Sequence, residues 1–374
     1  MTLGQGFRSY ILTHLREIAQ LATPQYKMDP LGFVNLLQTQ SKPKVLQLSN
    51  EAGHKNSVQV KYKQRWTKDF VQTGINCDIA SQSGYKETAV ALSSTVAFNI
   101  YIPDSLIENY EDDASKTVMI GKPSTPIMAE FMEEIYNVAN ALLSQMNEDL
   151  LTVLSANIGF NRRSGNNAAQ TLNLNKNATV NDLATGLTLL KSDASLNRFT
   201  NANDLQVIGA GLFNNFMLEQ PAKSASQIGL NTALQAAGVN WFYDLDVATV
   251  FGANNIIAID KNAVQIVEFL RYKGFKSGLR GTSYFGVLPL PMMIGQEVAL
   301  VEFDFQLKFN DCAKEITEQY YGTTVTLQPG WNLILSKESG LFTIPSDAYR
   351  AGDPLVSNRG TLLYDVTNTC TDCT

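Results

Sequence analysis

A pair of glycines after an apolar run is the first pattern in this sequence that could serve chemistry. Residues 204–218, DLQVIGAGLFNNFML, lead from a short apolar stretch into Gly-Ala-Gly at 209–211 and then into a second apolar stretch, as a dinucleotide-binding loop does. That fold also needs a third small residue, a crossover helix of about a dozen residues and a second strand with an acid for the ribose. Here Asn214 stands at the third position, and Pro221 would end the helix early. The sequence therefore favours a plain strand-to-helix turn over a nucleotide site.

Other patterns for catalysis or metal binding are missing from the sequence. His14 and His54 are the only histidines, and neither has zinc-site spacing or an evident partner for a Ser-His-Asp triad. No nucleophile elbow and no phosphate-binding P-loop occurs. We therefore expect no catalytic residue, no cofactor, no metal ligand and no enzymatic activity. The alternative function is an α/β hydrolase-type or nucleotide-dependent enzyme built on residues 181–270. The absence of a catalytic triad, a nucleophile elbow and a P-loop argues against it.

Two of the four cysteines, Cys370 and Cys373, form a CxxC pair in the C-terminal tail. This spacing is that of half a zinc site or of a redox pair. Because no second pair lies nearby in sequence, we interpret it as a free tail or as a pair that oxidises late to a disulfide. Four cysteines in 374 residues are too few for a disulfide framework, which indicates folding in a reducing compartment.

Composition and charge indicate the broad class of protein. The chain has 44% hydrophobic residues and a formal net charge of −6, which predicts a globular protein and argues against a general nucleic-acid binder. It has no run of about 18 apolar residues, and charges interrupt the N-terminal stretch where a secretory signal would be apolar. We therefore expect a protein made in the cytosol, without a membrane partner.

The first hundred residues predict an arm followed by a hairpin. Residues 1 to about 50 contain one short amphipathic helix, from Phe7 to Leu21, and then a polar run punctuated by prolines, with little core of its own. Alternating residues then predict two strands within 56–103, one of which places Val58 and Val60 on a single face. We expect these strands to pair as a long, projecting hairpin that needs a surface to lie on.

The longest predicted element is a helix over 125–158. Thr125 is a suitable N-cap, apolar residues recur at three- and four-residue steps, and Gly159 ends the pattern. Such a helix spans roughly 48 Å. Beyond it the pattern predicts a mixed region, with a helix near 181–192, a strand and short helix within 204–218, strands near 239–250 and 256–259, a helix-like NAVQIVEFLR, a long strand EVALVEFDFQLKF, and short strands in TTVTLQ, WNLILS and GLFTI.

The hairpin region and the long helix have opposite charge. The basic residues between positions 55 and 69 are Lys55, Lys61, Lys63, Arg65 and Lys68, against the single acid Asp69. The helix contains no base, and its acids are Glu130, Glu133, Glu134, Glu148 and Asp149. We hypothesise that the basic hairpin of one subunit lies across the acidic helix of a neighbour, which gives orientation more than affinity. A solvated strand face, nucleic-acid binding through Tyr62 and Trp66, and an ordinary wet helix face remain open as alternatives.

This order of elements resembles the major capsid protein of tailed bacteriophages, the Hong Kong-97-type fold. AFNIYIPDSLIENYEDD resembles the strand and short helix that precede the spine helix in that family, and LSQMNEDLLTVLSANIG resembles the end of that helix. DLQVIGAGLFNNFML falls where the family's axial domain has a strand and a short helix, and GANNIIAIDKNAVQIVEF is similar to its later strand and turn. The resemblance covers about residues 1–310.

The resemblance implies an α+β fold with several parts. These are an N-terminal arm at 1–55, an extended hairpin loop at 56–104, a peripheral domain at 105–180 that contains the spine helix at 125–158, an axial domain at 181–284, peripheral return strands at 285–320, and a C-terminal β-rich extension at 321–374.

The resemblance also implies a function in self-association. It predicts the major capsid protein of a tailed double-stranded DNA phage, forming hexamers and pentamers of an icosahedral shell that encloses the genome without specific DNA binding. Its partners would be copies of itself, a portal, and scaffold or decoration proteins. No long scaffold-like helical segment precedes the arm, which implies a separate scaffold protein or none. The protein would lie in the virion after assembly in the host cytoplasm. The alternative within assembly is an encapsulin-like shell protein that packages cargo, and the extra C-terminal strands fit a phage better.

Overall fold

The computed structural model describes most of the chain's regular elements. The described residues are 31–41, 44–48, 57–63, 85–91, 98–101, 125–174, 189–197, 199–200, 204–216, 238–269, 278–280, 283–294, 297–314, 328–335, 338–343 and 360–368.

Three helices and fifteen strands have complete bounds in this part of the chain. The helices are α1 (Gly32–Thr39), α2 (Thr125–Ser155) and α3 (Asp246–Phe251), and residues 189–196 and 211–216 are also helical. The strands are β1 (Lys44–Leu48), β2 (Ser57–Lys63), β3 (Tyr85–Ala91), β4 (Phe98–Tyr101), β5 (Gln170–Asn173), β6 (Leu205–Gly209), β7 (Val239–Tyr243), β8 (Asn255–Ile259), β9 (Val264–Phe269), β10 (Gly278–Arg280), β11 (Ser283–Ile294), β12 (Glu297–Lys314), β13 (Gln328–Leu335), β14 (Glu338–Thr343) and β15 (Thr361–Thr367).

The predicted hairpin is present, with a third strand added to it. β2 pairs antiparallel with β3 from Ser57 opposite Ala91 to Lys63 opposite Tyr85, and β1 pairs with the other edge of β2. The prediction of a single second strand up to residue 103 is wrong, because β4 leaves the hairpin and pairs with β13 instead. Val58 and Val60 are buried within this one chain, so the base of the hairpin packs on its own subunit instead of projecting freely.

A second sheet is long and antiparallel. Its strand order is β10-β11-β12-β13-β4, and β11 pairs with β12 over the whole length of β11. The predicted long strand is β12, where apolar residues alternate with charged ones. α2 contacts β4 and β13 at one edge of this sheet. The long helix is thereby joined to the strand that follows the hairpin.

A mixed five-stranded sheet has the order β5-β15-β8-β6-β7 and packs on both faces. One face packs against the helical residues 189–196 and 211–216, and the other against α1, α3 and the C-terminal part of α2. β8 shows how one strand serves both faces, since Ile256 and Ala258 enter the first core and Ile257 and Ile259 the second. This alternation is what a period of two requires of a strand with packing on both sides.

The expectation that the arm has little core of its own is wrong for residues 31–41. Phe33, Leu36 and Leu37 of α1 are at most 1% exposed, and they pack between the end of α2 and the mixed sheet. Burial of each such side chain contributes about 2 kcal/mol, which offsets the cost of ordering this proline-flanked segment. The predicted helix from Phe7 to Leu21 lies outside the described residues.

Two further predictions of secondary structure are wrong. The strand expected over 239–250 ends at Tyr243 and is followed by α3, because the Asp244 side chain accepts the N–H of Asp246 at 2.9 Å and turns the chain into a helix. NAVQIVEFLR forms β9, not a helix, because Val264, Ile266 and Val267 pair with β14 along an antiparallel ladder.

The glycines of the Gly-Ala-Gly segment serve close packing. Gly211 begins the helical stretch 211–216 with a φ of 64°, and a Cβ at this position would overlap the carbonyl oxygen of Ala253. At Gly209 a Cβ would lie 2.8 Å from Cγ2 of Ile256. The segment is a strand-to-helix turn, as the sequence favours, and its glycines let the turn before β8 approach.

Gly211 and Gly165 form a matched test of this packing. Both have positive φ, but nothing lies within 4 Å of a Cβ built at Gly165. We expect Gly165→Ala to cost about 1 kcal/mol from backbone strain alone, and Gly211→Ala to cost at least about 2 kcal/mol more because the overlap with Ala253 adds to the strain. Urea unfolding of the two variants measures the difference. Equal losses would show that close packing does not require glycine at position 211.

Candidate contact surfaces and the buried junction beside them

Lys61 and Lys63 lie two residues apart in β2 and so share one face of the hairpin, the lysine face. The strand register brings an acid, Glu87, opposite this face, which the charge pattern of residues 55–69 did not include. In the strand register Lys61 lies between Lys44 of β1 and Glu87 of β3. The register therefore places one acidic position, Glu87, directly opposite Lys61. Gln59 and Ala89 on the same face are exposed, whereas Val58 and Val60 on the opposite face are buried.

The acidic helix presents a narrower charged face than its composition indicates. Among the described side chains from position 133 onward, the exposed ones recur mostly every three or four positions, and they are Glu133, Asn137, Ala141, Gln145, Glu148, Thr152, Val153 and Ser155. Asp149 is half-buried and accepts a hydrogen bond from Gln145 at 3.2 Å. Within the described side chains the exposed surface of α2 therefore has two acids among uncharged residues. The side chains of Glu130 and Glu134 lie outside the described part.

Several predicted residues cannot be placed on either surface. Lys55, Arg65 and Lys68 lie outside the described residues, as do Cys370 and Cys373, and Lys63 is described only as a backbone position of β2. The contact between hairpin and helix stays a prediction, as does the late disulfide.

A buried junction that the sequence reasoning missed lies beside α2. The carboxylate of Asp244 has no exposed surface. Its Oδ2 accepts the backbone N–H of Phe33 at 2.7 Å, and its Oδ1 accepts the N–H of Asp246. The residue before α1, Leu31, makes no side-chain cap of its own. The first turn of α1 is therefore capped by a carboxylate from a distant part of the chain, where the partial positive charge of a helix start favours an anion.

Asn147 of α2 completes the junction from the other side. Its Oδ1 accepts the N–H of Val34 at 3.1 Å, and its Nδ2 donates to both oxygens of Asp244, at 3.1 and 3.2 Å, and to Asp246 at 2.7 Å. Asn147 is also fully buried. Two of the backbone N–H groups that a helix start leaves unpaired are thus satisfied by side chains from α2 and from the end of β7.

The surroundings of Asp244 act on the pKa of its carboxyl in opposite directions. Burial raises the pKa of the Asp244 carboxyl from 3.8 to about 6, the Phe33 N–H and the Asn147 amide lower it, and the charge of Asp246 raises it further. A buried carboxylate is costly unless its oxygens are hydrogen-bonded, and here both oxygens are. A Cβ at Gly32 would lie 2.8 Å from the Cβ of Asp244, so glycine allows α1 to approach this closely.

The other end of α1 is tied to the turn between β8 and β9. The Gln40 amide donates to Gln206 of β6 at 2.7 Å, and its Oε1 accepts the N–H of Asn262 at 2.6 Å. Asn262 in turn accepts the N–H of Ser41 and has a φ of 62°. Both ends of a helix of eight residues are therefore held by side-chain hydrogen bonds to the mixed sheet.

A second buried network joins the exit of α2 to the C-terminal strand. The Tyr364 hydroxyl donates to Asp193 at 3.1 Å, and the guanidinium of Arg163 lies 3.2 Å from the same carboxylate. Burial raises the pKa of Asp193 although the charge of Arg163 lowers it, and burial raises the pKa of Tyr364 as well. The Thr361 hydroxyl accepts the N–H of Gly159 at 2.8 Å. This hydrogen bond holds the first residue of β15 against the segment that follows α2.

The sequence contains a signal for α1 but none for its caps. Phe33, Leu36 and Leu37 stand at helical spacing in GFVNLLQT, so the helix could have been predicted. Asp244 and Asn147 are ordinary polar residues in sequence, 211 and 113 positions from the backbone groups that they cap. Only the fold brings them together.

Two other kinds of feature are absent from the described residues. They contain no group of three or more His, Cys, Asp or Glu side chains that could hold a metal ion. None of their helices combines the length and hydropathy needed to cross a bilayer.

Comparison with known proteins gives only distant structural relatives. No protein-family model matches the chain, and no curated protein matches it. Among solved structures, it aligns with the Cyanophage A-1(L) capsid asymmetric unit at 10% identity over 92% of this chain and 94% of that one, with a TM-score of 0.44. The capsid of Cyanophage P-SCSP1u aligns at 12% identity over 88% and 90%, with a TM-score of 0.39. A chain of Mycobacterium phage Bobi aligns at 9% identity over 90% and 91%, with a TM-score of 0.41. The first two of these structures are phage capsids.

The raised pKa of Asp244 predicts a specific pH dependence. The native state binds a proton here more tightly than the unfolded chain does, so this carboxyl stabilises the fold most at low pH and its contribution is lost as the pH rises through about 6. We expect the free energy of unfolding of Asp244→Asn, relative to the native sequence, to improve by roughly 2–3 kcal/mol between pH 4 and pH 7. Urea unfolding at the two pH values measures it. Thr152→Ala, at an exposed position of α2 and without a titratable group, should show no such change, and a pH-independent difference for Asp244→Asn would contradict the assignment.

Proposed function

We propose that this chain is a capsid subunit, the major shell-forming protein of a tailed double-stranded DNA bacteriophage. In this proposal copies of the chain associate into hexamers and pentamers of an icosahedral shell. The shell encloses the genome in the virion after assembly in the host cytoplasm. A portal and scaffold or decoration proteins would be further partners. The proposal starts from the sequence resemblance and is supported by the arrangement of the chain's own elements.

The observation that supports it best is the placement of α2. This helix of 31 residues contacts the edge of the long antiparallel sheet and also packs against α1 and α3 beside the mixed sheet. The helix therefore connects the two sheets, with its apolar stripe buried and the opposite stripe exposed. A helix in this position fixes the distance between the two sheets and leaves a long surface for a neighbouring copy.

Self-association through many modest contacts fits such surfaces. Closed shells repeat one interface many times, so each contact need contribute only a little, because linked contacts raise the effective concentration of the next. Polar, partly charged surfaces such as the lysine face of β2 and the exposed stripe of α2 give orientation at low individual strength.

The described surfaces sharpen the proposed contact between hairpin and helix. Glu133 and Glu148 lie roughly 22 Å apart along α2, since a helix rises 1.5 Å per residue. Lys61 and Lys63 are about 7 Å apart on one strand face. One hairpin therefore reaches one of these acids at a time, so the proposed contact orients the hairpin at a single point along the helix. The absence of a base from the helix sequence also suits a shell that holds DNA without binding it.

Charge reversal on the hairpin tests the proposed function. We expect Lys61→Glu combined with Lys63→Glu to reduce the yield of assembled particles at least ten-fold, because the reversed face would repel the acids of α2. Negative-stain electron microscopy and sedimentation measure the particles, and circular dichroism checks that each subunit remains folded. The native chain is expected to form closed shells, tubes, or rings of five or six.

Two comparisons make the charge test specific. Glu87→Gln removes the acid opposite Lys61 and should leave assembly intact or strengthen it. The reversed hairpin combined with Glu133→Lys and Glu148→Lys should recover part of the yield. Normal shells from the reversed hairpin alone would contradict the proposed contact, and a native chain that stays a uniform monomer or dimer with its scaffold present would contradict the capsid function.

A further inference from the structure

The last described strand, β15, has an interior position in the mixed sheet. β15 lies between β5 and β8, parallel to β5 and antiparallel to β8. Among the described strands, β5 has no other partner. Without β15, the strand that follows α2 would lose its link to the rest of the sheet, and a slot one strand wide would open between β5 and β8.

The slot recognises its strand by shape and by specific hydrogen bonds. Leu362, Tyr364 and Val366 enter one core of the mixed sheet, and Leu363 packs against the other. The Tyr364 hydroxyl donates to Asp193 and the Thr361 hydroxyl accepts the N–H of Gly159, so the first residue and the middle residue of the strand each have a polar anchor. A shift of one residue would exchange the two faces and break both anchors.

The connection to this strand is long enough to reach another copy of the chain. β14 ends at Thr343 and Gly360 precedes β15, and the intervening stretch 344–359 can extend over on the order of 50 Å. A compact chain of 374 residues has a radius of gyration of about 21 Å. A strand supplied by a second copy would make the same contacts as the chain's own strand, which is why exchange of an identical element between copies costs little.

We propose that the slot between β5 and β8 accepts its central strand in trans, and that the occupant in an assembly is the C-terminal strand of a second copy. This is strand addition to an open pair of sheet edges, with main-chain hydrogen bonds for affinity and alternating side-chain pockets for register. The inference adds an exchanged strand to the self-association proposed above, but the slot and its occupant do not depend on shell formation.

A complementation experiment with two defective copies tests the exchange. One copy is tagged and ends at residue 359, so its slot is empty. The other is untagged and full-length with Ala258→Arg, which blocks its own slot, since Ala258 is buried opposite Leu362 in the strand register. We expect the tagged copy to retain the untagged copy at about one to one on co-expression, at least ten-fold more than the tagged full-length chain does, because the slot of that chain is already filled.

Two substitutions in the donated strand make the result specific. Tyr364→Lys in the untagged copy should abolish its recovery, because Tyr364 is fully buried, whereas Asp365→Lys at an exposed position of the strand should not. If the Ala258→Arg copy is insoluble, a carrier protein fused to residues 344–374 replaces it, with the same two substitutions.

The outcomes separate exchange from ordinary self-association. Shell contacts without exchange would retain the untagged copy equally on the truncated and the full-length tagged chains, and that result would overturn the inference while leaving the capsid function intact. No recovery on the truncated chain would overturn it as well.

Discussion

The hydrogen bonds of one buried carboxylate hold the parts of this fold together. Asp244 and Asn147 cap the first turn of α1 from two other elements, the end of β7 and the middle of α2. A helix of eight residues has little stability by itself, so α1 depends on these caps and on the burial of its apolar side chains. Because α1 lies between α2 and the mixed sheet, the same hydrogen bonds fix the long helix against that sheet.

The buried faces of α2 and β2 determine which of their faces are left for contact with other molecules. With the apolar stripe of α2 committed to α1, α3 and the long sheet, only the opposite stripe can meet another molecule. The buried valines of β2 commit one face of the hairpin in the same way, and Gln59 and Ala89 are exposed on the other. Each proposed contact surface is thus the complement of a buried one, and the hydrogen bonds between Asn147 and Asp244 hold α2 beside the end of β7.

Local patterns in the sequence predicted the helices and strands that depend mainly on residues close together in the chain. The apolar repeat, the N-cap and the closing glycine placed the long helix at 125–158, and it spans Thr125–Ser155. The alternation of valine with polar residues predicted β2. The glycine pair was predicted to form a strand-to-helix turn, since the residues after it do not fit a nucleotide site. The failures have nonlocal causes. α1 is held by caps 113 and 211 residues away, and Val264 to Phe269 become a strand because β14 lies beside them. The interior position of β15 depends on β5 and β8, which lie far back in sequence. The domain boundaries remain predictions from the resemblance, and the residues of the intersubunit contact remain a prediction from the charge pattern.

The most direct test of the central constraint is amide hydrogen exchange at Phe33 and Val34. If the Asp244 and Asn147 side chains hold α1, both amides should exchange only with unfolding of the mixed sheet, and at the rate of the buried strand β8. Asn147→Leu should speed the exchange of both amides at least ten-fold while β8 remains protected, because α1 would then open by itself. Fast exchange of both amides in the native chain, or unchanged protection in Asn147→Leu, would contradict the account.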